Sequence, residues 1–385
     1  MRFGMRWAGA ALILTVLSYR ADAQNAENKM EKQIAEILEG VATEHSPGLA
    51  VLVKKYGRVA FQRGYGIREH RTRTKIDEKT NFRLASVTKQ FTAMAVMLLV
   101  HDGKLRYEQT LTEILPAFPE YGKSITVRNL LNHTSGLPNY EDLMDAVEKA
   151  KGSIWSAEKQ IQDNEVLALL EKETKGKFAS GTNWAYSNSG YVVLGLIVAK
   201  VSGKSFGEFL HERIFAPLKM TNTIVYQKGK NEVANRAFGY IKEEDAFRET
   251  DQSSTSATLG DGGVYSNLED LSKWDDALRN HTLLSDEEMK PALTPAKYGA
   301  AAHAILPDDA PAALRGVPVS YGFGWFLDPY KGHARMWHYG ETIGFKTAVQ
   351  RFTDDNLTII VLSNRTDLDP GALATRVADL YLGRP

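Results

Sequence analysis

Ser86 and Lys89 stand three residues apart in the stretch Asn81–Gly103, NFRLASVTKQFTAMAVMLLVHDG. A serine hydroxyl is a weak nucleophile until a neighbouring base takes its proton, and a lysine can act as that base once burial or a positive field lowers its pKa. Phe91 and then Met94 to Val100 make the following residues apolar on every face, the pattern of a core helix. Gly103 suits the left-handed position just past a helix end. The spacing therefore predicts a buried helix with Ser86 and Lys89 on one face of its first turn. Two plainer readings compete: Ser86 as an N-cap and Lys89 as a solvated residue. Against the second, the helix dipole opposes a cation at an N-terminus, where a capping box would place Glu or Gln.

The same spacing recurs at Ser156 and Lys159, but Gln160, Gln162, Asp163 and Asn164 follow, so that copy reads as solvated. Tyr-Ser-Asn also occurs twice. Tyr265–Asn267 runs into Ser266 and Glu269, a capping-box spacing that accounts for it. Tyr186–Asn188 lies in GTNWAYSNSG, a loop of small and polar residues before an apolar helix. A loop tip held by rigid elements suits a catalytic tyrosine; taken alone, the segment favours a half-buried tyrosine with its hydroxyl bonded. A third segment, Trp337–Phe345, reads WHYGETIGF. There Gly340 and Gly344 permit close approach of a ligand or another backbone, and His338 could equally be a satisfied core histidine.

In order along the chain, Ser86-Val-Thr-Lys89, Tyr186-Ser-Asn188 and His338-Tyr-Gly340 resemble the motifs of the serine β-lactamase and penicillin-recognising hydrolase superfamily, whose S-x-x-K element is well described. The resemblance is closest to the branch of class C β-lactamases, D-alanyl-D-alanine carboxypeptidases, D-aminopeptidases and related esterases. LLNHTSGLP (Leu130–Pro138) and GDGGVYSNLED (Gly260–Asp270) are also similar to segments of that branch. The resemblance runs from about Pro47 to the C-terminus. It implies that Ser86 is acylated, that Lys89 helps deprotonate it, and that Tyr186 relays protons. Asn188 would hold the substrate amide and Lys89. The backbone N–H groups of Ser86 and Glu341 would form an oxyanion hole, and His338 and Gly340 would line the substrate site. No cofactor and no metal is implied. One departure stands out: His338-Tyr339-Gly340 occupies the place of Lys-Thr-Gly in class C β-lactamases. A largely neutral histidine weakens the site for a substrate carboxylate. Any anchoring by protonated His338 would fade as pH climbs through about 6–7.

The elements that must position these groups follow from patterning. Strands are expected at Leu49–Val53, Val59–Tyr65, Tyr321–Leu327, Arg335–His338, Phe345–Phe352 and Leu357–Leu362. Helices are expected at Asn25–Ala42, Ser156–Glu171, Gly190–Val201, Phe206–Phe215, Ser266–Leu278 and Gly371–Tyr381. The expected fold is α/β (α+β), β-lactamase-like: an antiparallel sheet flanked by helices, with an inserted, mainly helical lobe. The sheet lobe takes about 24–83 and 252–385, the helical lobe about 84–251, with the active site between them.

Residues 1–23 carry Arg2 and Arg6, a short apolar run from Trp7 to Leu17, and Ala21-Asp22-Ala23 before Gln24. This reads as a signal peptide, with an uncleaved anchor as the alternative, so the mature chain is expected to be secreted or periplasmic with no transmembrane span. Residues 24–385 would then form one hydrolase domain. Without Arg2, Arg6, Arg20 and Asp22 the chain keeps 44 basic and 46 acidic residues, a net charge of −2 that gives no basic footprint for nucleic acid. The chain has no cysteine, which excludes a cysteine nucleophile, thiolate metal sites and disulfide chemistry. The expected partner is a small-molecule or peptide substrate, peptidoglycan fragments among them.

Overall fold

The computed structural model describes residues 29–299 and 319–383. The proposed signal segment and most of the loop 297–319 lie outside the described residues. A helix over 29–37 (α1) precedes the hairpin β1 (Leu49–Lys55) and β2 (Arg58–Tyr65), and the short strand β3 (Phe82–Arg83) leads into α2 (Lys89–His101). The helical lobe then supplies α3 (Leu111–Ile114), α4 (Val127–Leu131), α5 (Tyr140–Lys151), α6 (Asp163–Leu170), α7 (Asn188–Ser202) and α8 (Phe206–Leu210). Strands β4 (Ile224–Val225), β5 (Tyr240–Glu243), β6 (Ala246–Glu249) and β7 (Val264–Ser266) precede α9 (Leu268–Arg279) and α10 (Asp286–Met289). The chain closes with β8 (Phe326–Leu327), β9 (Arg335–Thr342), β10 (Phe345–Phe352), β11 (Leu357–Ser363) and α11 (Pro370–Leu382).

Both chain ends build one six-stranded antiparallel sheet in the order β2-β1-β11-β10-β9-β8. Its central strands, LAVLVKK and LTIIVLS, are almost wholly buried. They lack apolar–polar alternation because helices cover both faces. On one face Val51, Val53, Ile359 and Val361 pack against Ile34 and Leu38 near α1 and against Leu373 and Val377 of α11. On the other face Ala50, Leu52, Val349 and Ile360 join the main core, which continues through α2 and α7 into the helical lobe.

Three sequence expectations change. The last part of the stretch expected to be mainly helical carries β4, β5 and β6, and Tyr240 donates its N–H to Asn364 in the large sheet's outgoing loop at 3.0 Å. A polar hairpin of this kind has no apolar face to reveal it by periodicity. The helix expected from Ser156 starts only at Asp163; Ser156 closes a turn instead, its Oγ accepting from the N–H groups of Glu158 and Lys159. The expected capping box at Ser266 and Glu269 is displaced by one residue. Asn267 caps α9 by accepting from Asp270 N–H, and the Ser266 hydroxyl bonds Thr223 inside the core.

One polar cluster sits inside this frame. Lys54, Thr358 and Arg351 lie side by side across β1, β11 and β10. Asp275 of α9 meets all three, at 3.2 Å from Lys54 Nζ, 2.8 Å from Arg351 Nε and 2.7 Å from Thr358 Oγ1. Burial raises the Asp275 pKa, but Arg351 and Lys54 outweigh it and hold the carboxyl below its ordinary value. Asp275→Ala would leave two buried cations short of a partner. It should lower unfolding free energy by about 3–5 kcal/mol, read from the urea midpoint at unchanged slope; a loss below about 1 kcal/mol would show that water or Asp276 replaces it.

Candidate active site

The turn that carries Ser86 is held between two sheets. Ala85–Thr88 is a 3₁₀ turn that runs straight into α2. Its first residue, Ala85, has φ +48°, a left-handed conformation that costs a non-glycine residue about 1–3 kcal/mol and persists only where the surroundings impose it. The surroundings are specific. Leu84 donates its N–H to Val264 O at 2.9 Å on the β7 side. The Leu84 carbonyl accepts from Thr347 Oγ1 of β10 at 3.0 Å. Thr88 Oγ1 accepts from Val264 N–H at 3.1 Å instead of capping α2. The serine thus sits just before the start of α2, within the positive end of its dipole.

Lys89 is completely buried. Its ammonium donates to Ser86 Oγ at 2.9 Å, to Asn188 Oδ1 at 2.9 Å and to the Asp261 carbonyl at 3.0 Å. The Tyr186 ring lies 4.9 Å below it and the Tyr191 ring 5.5 Å away. Desolvation pulls its pKa down to about 8, partly opposed by the negative charges of Asp261 and Glu141. Asn188 is the first residue of α7, whose N-cap Ser187 accepts from Gly190 N–H at 3.0 Å. With its Oδ1 turned to Lys89, Asn188 keeps its N–H₂ group to donate to the cleft it lines.

The Tyr186 hydroxyl is buried beside Ser86 without a well-formed hydrogen bond. Burial raises its pKa well above 10, Tyr339 adds to this, and the interaction with Ser86 pulls the other way. It therefore rests as a protonated phenol. Ser86, Tyr186, Asn188, Tyr339 and Glu341 all line one open cleft of about 900 Å³. Glu341 and Ser86 also border a smaller polar chamber of about 60 Å³.

His338 and Gly340 sit elsewhere than expected. His338 is fully buried. Its Nδ1–H donates to the Tyr339 carbonyl at 2.6 Å, and its Nε2 accepts from Tyr321 O–H at 3.0 Å. Burial and the nearby Lys89 charge push its pKa down to about 3. Both nitrogens are used and the ring stays neutral, as a largely neutral histidine at this place implies, so the conditional reading of protonated His338 as a carboxylate anchor drops out. Gly340 acts through packing. A Cβ there would lie 2.2 Å from the Leu84 carbonyl oxygen and 2.4 Å from Thr347 Oγ1, so its absence is what lets β9 press against the turn that carries Ser86.

Sequence reasoning missed two residues. Asp261 gives Lys89 its third acceptor and a nearby negative charge; its place in the GDGG segment was visible, its role was not. His133, inside LLNHTSGLP, has φ +63° and is buried. Its Nδ1 accepts from Ser187 N–H at 3.1 Å, and its ring packs 4.5 Å from both Tyr186 and Tyr321. It props the Tyr186–Asn188 segment from beneath. A histidine with a left-handed backbone in a turn-rich segment was the available signal.

The cleft wall is acidic. Glu141, Asp142, Asp145 and Glu341 line it with Lys177. Lys177 pairs with Asp142 at 3.0 Å, and Lys346 pairs with Glu341 at 3.0 Å. Those residues contain no group of three His, Cys, Asp or Glu placed to hold a metal, and no helix long and apolar enough to cross a membrane.

Comparison with known proteins gives the chain's family and fold. The family model described as Beta-lactamase matches residues 26–382. Penicillin-binding protein 4* of Bacillus subtilis (strain 168) is 31% identical over 355 residues, 89% of this chain and 73% of its own length. Among solved structures, the octameric penicillin-binding protein homologue from Pyrococcus abyssi superposes with a TM-score of 0.74 at 25% identity, covering 93% of this chain and 77% of that one. The D-amino acid amidase from Ochrobactrum anthropi SV3 shares the fold with a TM-score of 0.71 at 23% identity, over 94% of this chain and all of its own.

Gly340→Ala tests the packing of β9 on the turn. The added methyl meets backbone on one side, so the substitution should cost about 1–3 kcal/mol of stability and slow covalent labelling of Ser86. A change below about 0.5 kcal/mol with unchanged labelling would show that β9 does not hold that turn.

Proposed function

The chain belongs to the beta-lactamase family, and on that footing we propose that it is an exported serine hydrolase that works through an acyl-enzyme on Ser86. The observation that carries the reading is the buried Lys89 amine, 2.9 Å from both Ser86 Oγ and Asn188 Oδ1, with its pKa drawn down to about 8. At that pKa a useful fraction of the amine is neutral near pH 7, and only the neutral form accepts a proton.

Neutral Lys89 takes the Ser86 proton as Oγ attacks the substrate carbonyl carbon. The developing oxyanion is held by the N–H groups of Ser86 and Glu341, each of which removes about 3–4 kcal/mol from the barrier in comparable enzymes. When the intermediate collapses, the leaving nitrogen or oxygen takes the Tyr186 phenol proton, and Lys89 returns its proton to the phenolate. Water then attacks the ester carbonyl by the same groups in reverse, releasing acid and free Ser86. Tyr186 thus serves first as proton donor, as its raised pKa requires.

The substrates in view are D-amino-acid peptides, β-lactams and small esters. The acidic wall and the neutral His338 favour those without a free carboxylate at the leaving end. Small esters and amino-acid amides fit that wall; cephalosporins and peptides ending in D-alanine oppose it.

Intact mass after treatment with a fluorophosphonate should show one adduct, absent in Ser86→Ala, on a chain that begins at Gln24 when recovered from the periplasm. An adduct elsewhere, or full turnover in Ser86→Ala, would sink the nucleophile assignment; an N-terminus at Met1 would sink the cleavage. In parallel assays an aryl ester and a D-amino acid amide should exceed a cephalosporin and a D-Ala-D-Ala peptide in kcat/KM by at least about tenfold. Stable acylation by penicillin without product release would instead favour a penicillin- or peptidoglycan-binding protein with little turnover.

The pH dependence has a definite sign. Protonated Lys89 cannot accept from Ser86, so the rate of Ser86 labelling should rise with pH and level off above about 8. A flat profile between pH 6 and 9 would remove Lys89 as the base.

A further inference from the structure

A second cavity lies on the sheet face that carries Gly340. Its floor includes Met336, four residues before Gly340 along β9, a separation of about 13 Å at the rise of a strand. It encloses about 330 Å³ beneath α9 and α10, over the cross-strand row Lys54, Thr358, Arg351 and Met336. At about 30 Å³ for each water-sized atom, it has room for about ten non-hydrogen atoms. Leu278, Met289 and Met336 supply much of its apolar wall.

Its charges do not balance. Three cations, Lys54, Arg279 and Arg351, share two carboxylates, Asp275 and Asp276. His281, also on the wall, is paired with Asp286 at 3.0 Å. Lys54 is bonded to Asp275, Asp276 and the Ser272 carbonyl. Arg351 is less well served. It donates Nε to Asp275 Oδ1 at 2.8 Å and Nη2 to the Asp275 carbonyl at 3.4 Å. Among the described residues its Nη1 has only the Met336 sulfur, at 3.2 Å, and a thioether is a weak acceptor. A buried guanidinium N–H directed at sulfur gains most from a charged oxygen.

The rim is kept open beside the second arginine. Gly57, in the β1–β2 turn, has φ +73°, and a Cβ there would lie 2.3 Å from Arg279 Nη2. Glycine therefore keeps that guanidinium uncovered by a side chain from the turn. Apolar wall, surplus positive charge and under-bonded arginine converge in one enclosed space.

We propose that this cavity is a second, non-catalytic binding site for an amphiphilic monoanion of about ten non-hydrogen atoms: a carboxylate received by Arg351 and Arg279, on an apolar body that packs among Leu278, Met289 and Met336. The site is independent of Ser86 chemistry and stands whatever the catalytic substrate proves to be.

Octanoate, octanol and octylammonium serve as probes, with the full mature chain labelled at its methionine methyl groups. Titration followed by NMR should move the Met289 and Met336 signals saturably with octanoate. Octanol should bind at least about tenfold more weakly, and octylammonium should leave both signals in place. Arg279→Gln, a part-exposed side chain, should raise the octanoate Kd by about tenfold. The proposal is overturned if octylammonium matches octanoate, if these two methyl signals do not move, or if Arg279→Gln leaves the Kd unchanged.

Discussion

The burial of one amine is the constraint that the rest of the structure answers to. Lys89 has no exposed surface, and an ammonium in that position is tolerable only if every N–H finds an acceptor. The three acceptors come from three places in the chain: Ser86 on its own turn, Asn188 at the head of α7, and the Asp261 carbonyl before β7. Satisfying one side chain therefore fixes α2, α7 and the 260–264 segment relative to one another. The same packing shows at the backbone. A Cβ on Gly260 would lie 2.2 Å from the Tyr191 carbonyl oxygen, and Thr92 bonds the Gly260 carbonyl at 2.6 Å. Imperfect solvation then yields the chemistry, because the desolvation left after three hydrogen bonds lowers the amine into a useful range.

The site also separates two roles that a single motif would combine. His338 occupies the place of a cationic residue in related enzymes but is held neutral between Tyr321 and the Tyr339 carbonyl. It contributes shape to a ring cluster that includes Trp184, Tyr321, Phe326 and Trp337. Positive charge at the nucleophile is then supplied by Lys89 and by the start of α2, while the cleft beyond is acidic. A substrate meets a field that changes sign over its length.

Much of this was legible in the sequence. The helix behind Ser86 was readable because an apolar run with no polar face can only be buried, and Gly103 does end it in a left-handed conformation. The large sheet was readable from strands apolar on both faces. Less legible were features set by partners distant in sequence. The hairpin of β5 and β6 is polar and forms a two-stranded sheet of its own, tied to the large sheet's loops through Tyr240. The cap of α9 was misplaced by one residue because Ser266 and Asn267 are both good caps, and tertiary contact with Thr223 decided between them. His133 and Asp261 gave no local pattern; their significance appears only when Ser187 and Lys89 are brought to them.

Leu84 adds something to the meaning of a two-lobed enzyme. Its N–H is tied to β7 and its carbonyl to β10, so one peptide unit on either side of the same residue is stitched into separate sheets. The two sheets cannot shift against each other at this point without breaking bonds to the backbone beside Ser86. Adaptation of the cleft to new acyl donors is thereby confined to its rim, where loops can lengthen or change charge while the reacting atoms keep a fixed frame. The fold behaves as a vice with immovable jaws and exchangeable faces, which is a physical reason for one serine turn to accompany such varied substrates.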